Sequence, residues 1–339
     1  MKKLLTGLVA GAALLGFVAA AKAETTLTVS TYTSYKFWLV GQTIENWGRD
    51  IEAATDGRVK VRVLKQALGD GPAHYDMARD GVADITLGVQ GYTPGRFLLT
   101  DVGSLPFVGD TSVARSVALW RTFKKFPTLQ EEYKDVHVVS IFTTSARNFW
   151  NAKRQINSVA DFNGLKMRAS GGLESDLAAA LGMTPLLQPV NKVYELLSNG
   201  VADAVVFPSE TIESFNLTKV LKYGTKIPGG FSATPLMFVM NKSSYDSLSA
   251  EDKIAFDALS GEAFARRQGL YWDRLDAQGE AAFIRDGGQI DQGSEELLEG
   301  MRKSAEPIIE KWTTQAKAER GADAQAMIDY YVEQVEALE

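Results

Sequence analysis

The sequence predicts a two-lobed α/β fold, with a long helix spanning both lobes and a ligand cleft between them. Three observations predict it. Strand-like and helix-like segments alternate through the first two thirds of the chain, the phrase "YDMARDGVADITLG" (75–88) is echoed by "YELLSNGVADAVVF" (194–207), and a long helical stretch follows at 247–288. Alternation of this kind builds largely parallel sheets covered by helices.

The elements follow in order. The chain opens with Lys2 and Lys3, an apolar run from Leu4 to Ala20 and the small-x-small triplet Ala21-Lys22-Ala23. That is the grammar of a secretory signal peptide, 1–23, cleaved before Glu24. "TLTVST" (26–31) is short and β-branched and reads as a strand. In 40–57, Ile44, Trp47, Ile51 and Ala54 mark one helix face, with Gly57 as the stop. "RVKVRVL" (58–64) alternates like a half-buried strand. In each copy of the echo a short helix ends on a glycine, which tolerates the left-handed backbone of a helix terminus, and a strand follows. Between the copies, 164–169 reads as a strand, 172–182 as a helix and 184–189 as a strand. Asn191 is placed to cap the second echo's helix.

The repeat implies two similar lobes, the usual setting for a small-ligand cleft. The chain, 339 residues less the leader, is also longer than one core usually serves. The expected division is lobe I at 24–146 plus 234–270 and lobe II at 147–233 plus 271–339. The stretch 247–288 starts at a Ser249–Asp252 capping box and stops at Gly287-Gly288. About 35 helical residues would reach roughly 50 Å, with Gly261, Gly269 and Gly279 as points of bending. Two or three helices complete the chain over 294–338.

Composition excludes several classes. A net charge of −6 argues against nucleic-acid or anionic-membrane partners. There is no cysteine, hence no disulfide, no thiolate nucleophile and no lipid-bearing cysteine. The two histidines, His74 and His137, are far apart and read as surface residues; no metal site and no cofactor are expected. Neither a Gly-x-Ser-x-Gly elbow nor a zinc-type histidine motif is present, which leaves an enzyme improbable.

Four stretches in order, "DVGSLPFV" (101–108), "GLKMRASG" (164–171), "GVADAVVFPSETI" (200–212) and "PLMFVMNKSSYDSLSAEDK" (235–253), resemble the solute-binding proteins of tripartite ATP-independent periplasmic (TRAP) transporters, the DctP-type family. The resemblance covers essentially the whole chain after the leader. It implies a periplasmic binding protein that closes on an organic acid and delivers it to membrane permease subunits driven by an ion gradient. A binding protein for an ATP-driven importer or a sensor is the alternative.

The resemblance also assigns the site. Arg168, at the end of the "GLKMR" strand, matches the family's carboxylate-binding arginine, and a planar guanidinium grips a carboxylate through two parallel hydrogen bonds. Arg147 is similar to a second arginine of many relatives; it either contacts the anion or supports Arg168. Where many relatives carry an asparagine that bonds the ligand acid, this chain has Phe207, which offers an apolar face instead. Tyr32 and Trp38, among the aromatics at the exit of the first strand, and Gln90 and Tyr92, in the loop after the first echo, complete the expected contacts. The expected ligand is a monocarboxylate with an apolar or aromatic body.

Overall fold

The computed structural model describes residues 24–339, so the expected signal peptide, 1–23, lies outside the described residues. Among the described residues, eleven strands form two mixed sheets: β1 (Thr25–Thr31), β2 (Val59–Val63), β3 (Ile85–Val89), β4 (His137–Thr143), β5 (Asn148–Asn151), β6 (Lys166–Ala169), β7 (Thr184–Leu187), β8 (Ala204–Phe207), β9 (Tyr223–Lys226), β10 (Pro235–Met240) and β11 (Gln289–Gln292). Lobe I carries the order β2-β1-β3-β10-β4 and lobe II the order β11-β9-β5-β8-β6-β7. The two orders correspond. In each lobe three parallel strands are followed by one antiparallel strand, β10 or β5, that the chain delivers from the other lobe.

The echoed phrases occupy equivalent places. Helix His74–Arg79 ends before Gly81 (φ +72°), and helix Val193–Ser198 before Gly200 (φ +68°). The repeated aspartates then do the same work. Asp84 accepts from the backbone N–H of Thr28 in β1 (2.8 Å), and Asp203 from that of Lys166, the first residue of β6 (3.0 Å). Each carboxylate thereby fixes the point where its strand begins to pair with the neighbouring parallel strand. The repeated tyrosines do not correspond: Tyr75 is buried, whereas Tyr194 is exposed. Asn191 is no cap either. It sits inside a single turn, Val190–Lys192, entered after Pro189.

Aromatic packing holds lobe I against the helical segment. Trp47 is fully buried, edge-on to Phe238, Phe256 and Phe264 at 5.1–5.8 Å. Such pairs contribute about 0.5–1.5 kcal/mol each beyond the area they bury. His74 is buried as well, contrary to the surface position expected, between the Ser30 hydroxyl (3.3 Å) and the Asp70 carbonyl (3.0 Å). Desolvation holds its pKa below the ordinary value.

The expected single long helix is two: Ala250–Ala258, capped by the Ser249 hydroxyl, and Gly261–Arg285. Gly261 breaks the run with φ +57°, its hydrogen side against the Trp120 ring, where a Cβ would meet ring carbon at 2.8 Å. The 25-residue helix runs unbroken through Gly269 and Gly279, and both let it dock. A Cβ on Gly269 would lie 2.5 Å from Val113 Cα, and one on Gly279 would lie 2.1 Å from the Ser209 carbonyl oxygen. Beside each glycine an aspartate completes the junction. Asp273 accepts from the N–H groups of Ser112 (2.6 Å) and Val113 (3.1 Å), at the start of helix Ser112–Lys125 in lobe I. Asp276 accepts from Glu210 N–H (2.9 Å), at the start of helix Ser209–Ser214 in lobe II. An acid at a helix N-terminus satisfies N–H groups that have no partner within the helix. The long helix therefore joins both lobes through the same device, used twice.

Two C-terminal helices follow, Glu295–Arg320 and Ala324–Glu336. The second contributes Met327 and Tyr331 to the core that contains Leu119 of helix Ser112–Lys125, so it packs on lobe I although it falls in the stretch expected with lobe II. Among the described residues, no helix is long and apolar enough to cross a membrane.

Candidate functional site between the lobes

The strand ends of both sheets converge on a small interlobe cavity. Lobe I supplies Tyr32 and Phe37 after β1, Val89 and Tyr92 at the end of β3, and Leu236 of β10. Lobe II supplies Arg168 and Ser170 at the end of β6, Val190, and Phe207 at the end of β8. Phe215 follows helix Ser209–Ser214, and Trp272 of the long helix and the crossover residues Thr144 and Thr234 complete the wall. A mostly apolar enclosure with few polar groups is what a small organic ligand needs.

Among the described residues Arg168 is the one charged residue lining the cavity, and it is only 1% exposed. Its Nε donates to the Gln188 carbonyl (2.7 Å) and its Nη2 to the Tyr92 hydroxyl (3.3 Å). Among the described residues no carboxylate pairs with it, and no acceptor is bonded to Nη1. Phe207 lies beside it, ring centroid 5.3 Å from the guanidinium carbon, a distance at which a cation is drawn to an aromatic face. Tyr32 meets Tyr92 edge-on at 5.7 Å, and burial pushes its phenol well above the ordinary pKa, so it stays protonated.

Three of the expected contacts are elsewhere. Arg147 is fully buried behind the cavity, where both terminal nitrogens donate to Glu174, Nη2 at 3.1 Å, and further bonds reach the Ser232 hydroxyl and the Val206 carbonyl. Burial pulls its pKa down and the Glu174 charge opposes that pull. With its acid already in place, Arg147 supports the β5–β8 edge of the site and does not line the cavity. Gln90 also turns away: Nε2 donates to the Tyr133 hydroxyl (3.0 Å) inside lobe I. Residues 90–92 form a single tight turn, and residues two apart on such a turn point to different sides, which leaves Tyr92 facing the cavity. Trp38 is one layer back. Its indole donates to Glu210 (2.6 Å) and its ring stands edge-on to Trp272 at 4.8 Å, so Trp272 and Phe37 form the wall where Trp38 was expected.

Sequence reasoning missed Trp272, Phe215, Thr144 and Thr234. Trp272 carries no local signal, because its helix face is set by the two lobes it crosses. Ser170, two residues past Arg168 and so on the same side of an extended chain, was recoverable from strand alternation.

Two α/β lobes closing on a buried cavity with one cationic anchor define a solute-binding protein. Residues 30–315 match the family model described as bacterial extracellular solute-binding protein, family 7 (DctP), and the chain belongs to that family. Its members are periplasmic substrate-binding transport proteins, and the family works with membrane permeases. The chain is similar to a TRAP periplasmic solute-binding protein from Bordetella bronchiseptica solved with bound (R)- and (S)-mandelate: 33% identity, TM-score 0.89, covering 93% of this chain and 100% of that one. It is similar also to a marine metagenome TRAP solute-binding protein specific for aromatic acid ligands, solved with 3-hydroxybenzoate: 30% identity, TM-score 0.87, covering 93% and 99%. Among curated relatives, the outer membrane transporter protein TsaT of Comamonas testosteroni is 28% identical over 295 residues, 87% of each chain.

Proposed function

We propose that this chain is the periplasmic receptor of a TRAP transporter for an aromatic monocarboxylate, which it captures between its lobes and passes to permease subunits for uptake driven by an ion gradient. The observation that carries the reading is Arg168: a buried guanidinium with no acidic partner, in a cavity otherwise free of charge. A buried unpaired charge is costly, and an incoming carboxylate removes the cost. One cation favours one carboxylate, since a second would enter an apolar enclosure without a partner. Phe37, Phe207, Phe215 and Trp272 offer ring faces and edges to an aromatic body. The mandelate and 3-hydroxybenzoate bound by the two solved relatives fit the same description. Binding is the whole task of the site in this reading, with no catalysis and no cofactor, and residues 1–23 are the leader removed on export.

A thermal-shift panel on the chain from Glu24 onward tests this. It sets aromatic monocarboxylates against aliphatic 2-oxo and 2-hydroxy acids, C4-dicarboxylates and sugar acids. A ligand that binds only the folded state raises the melting temperature by mass action. A selective shift with the aromatic acids is expected; a selective shift with dicarboxylates or sugar acids would overturn the ligand class.

A further inference from the structure

Tyr92 stands on lobe I, in the turn that follows β3, yet both hydrogen bonds to its hydroxyl come from lobe II. The Val190 backbone N–H donates to it at 2.9 Å and Arg168 Nη2 at 3.3 Å. A phenol oxygen carries two lone pairs and one proton. Both donors are N–H groups that cannot accept in return, so they occupy the lone pairs and leave the proton. No acceptor for that proton is found among the described residues, and Tyr92 lines the cavity in which Arg168 Nη1 is also without a partner. The ring itself is fixed from lobe I. Tyr32 meets it edge-on, and Gly71 lies against it, where a Cβ would be 2.8 Å from a ring carbon. The turn reaches this position because its neighbours are bare backbone. A Cβ on Gly91 would lie 2.5 Å from the Ser170 carbonyl oxygen, and one on Gly171 would lie 2.3 Å from the Gly91 carbonyl oxygen.

We propose that Tyr92 is the lobe I half of the carboxylate site: it donates its phenolic proton to the ligand carboxylate that Arg168 holds, so that recognition of the acid and closure of the lobes are one event. This inference rests on the reading of the cavity given above. The carboxylate takes Nη1 of Arg168 from one side and the phenol from the other. The phenol is in place only when its turn meets Ser170 and Val190. An anion held by Arg168 alone binds an open protein; held by both residues, it binds a closed one.

The test is Tyr92→Phe in the chain from Glu24 onward, with benzoate and mandelate as probes. Calorimetry gives affinity, stopped-flow tryptophan fluorescence gives the rates, and small-angle scattering gives compaction. The ring and its packing survive the substitution, so the melting temperature without ligand should stay within a few degrees of wild type. Affinity should fall roughly 10- to 100-fold, the range for a hydrogen bond to a charged group. The loss should lie in faster dissociation, with the association rate nearly unchanged, and the compaction seen on saturating wild type should shrink. If wild type binds and Tyr92→Phe matches it in affinity, dissociation rate and compaction, the inference is wrong while the proposed function stands. If wild type binds neither probe, the reading of the cavity falls and the role of Tyr92 falls with it.

Discussion

Glu174 accepts from both terminal nitrogens of Arg147, and neither side chain is more than 2% exposed. Removing one partner of such a pair strands a charge in the interior, at a cost of about 3–5 kcal/mol. Arg147→Met and Glu174→Met should each lower the melting temperature markedly, whereas the double variant should recover most of the loss. A double-mutant cycle from denaturant melts checks this; additive single effects would show that the pair is not the structural unit described.

Arg168, 21 residues along, has no such acid, and its variant should behave in the opposite way. Arg168→Ala should leave the ligand-free protein about as stable as wild type, because the lost hydrogen bonds are offset by removal of an unpaired buried charge. Its affinity for benzoate or mandelate should fall about thirty-fold or more, the consequence of losing a buried charged contact worth roughly 2–5 kcal/mol. Calorimetry on the variant decides the matter, and retained affinity would overturn the site.

The docking of the long helix is testable at its two glycines. Gly269→Ala sets a methyl against the Val113 backbone, and Gly279→Ala sets one against the Ser209 carbonyl. Neither neighbour is a flexible side-chain tip, so each substitution should destabilise by about 1–3 kcal/mol, the usual cost of overpacking. Hydrogen exchange should show the loss concentrated in helix Ser112–Lys125 for the first and in helix Ser209–Ser214 for the second.

Stability should decline from pH 7 to 8. Burial, with the neighbouring Glu132 charge, pushes Asp101 up to about 8, and burial pushes Asp276 up to about 7. These folded-state values lie above the unfolded one, so the folded protein holds protons that the unfolded chain has released. That contribution is fully present at and below the unfolded carboxylate pKa, falls as pH rises above it, and is gone once pH has passed through 7 and 8. His74 and His137 are shifted downward and act in the opposite direction, but only below about pH 6.5. Asp101→Asn should flatten the slope between pH 7 and 8, by about 1 kcal/mol per unit or less. Melts of wild type and variant across that interval are the check.

What was legible in the sequence follows how local each cause is. The helix–glycine–strand units could be read because hydrophobic spacing and a helix stop act within a few residues. The matched aspartates could be located, though their bonds to Thr28 and Lys166 belong to strand pairing and could not. Gly261 could be marked as a point of bending, but that it separates two helices goes with its packing against Trp120, more than a hundred residues away, and was not legible. At the site, Arg168, Phe207 and Tyr32 sit at strand ends, where parallel topology directs side chains to the cleft. Arg147 was left open between contact with the anion and a supporting role for a non-local reason: its partner Glu174 lies on a helix of the same lobe, and only the folded chain brings the two together. Gln90 misled because it lies just past a strand end, in a turn whose rotation brings Tyr92 inward instead, and Trp38 because it stands at the head of helix Leu39–Ile44, where the Glu210 carboxylate of the other lobe takes its indole and Phe37 faces the cavity.

The paired junctions on the long helix have a mechanical consequence. Asp273 holds lobe I and Asp276 holds lobe II, three residues apart, or about 4.5 Å along the axis. The two lobes are thus hung from nearly one point, which acts as a fulcrum. A rotation that barely displaces Ser112 and Ser209 is multiplied with distance from that point and becomes large at the mouth of the cleft. Spin labels at positions 93 and 191, at the rim, should approach one another when mandelate is added, while labels at 113 and 213, beside the fulcrum, keep their separation.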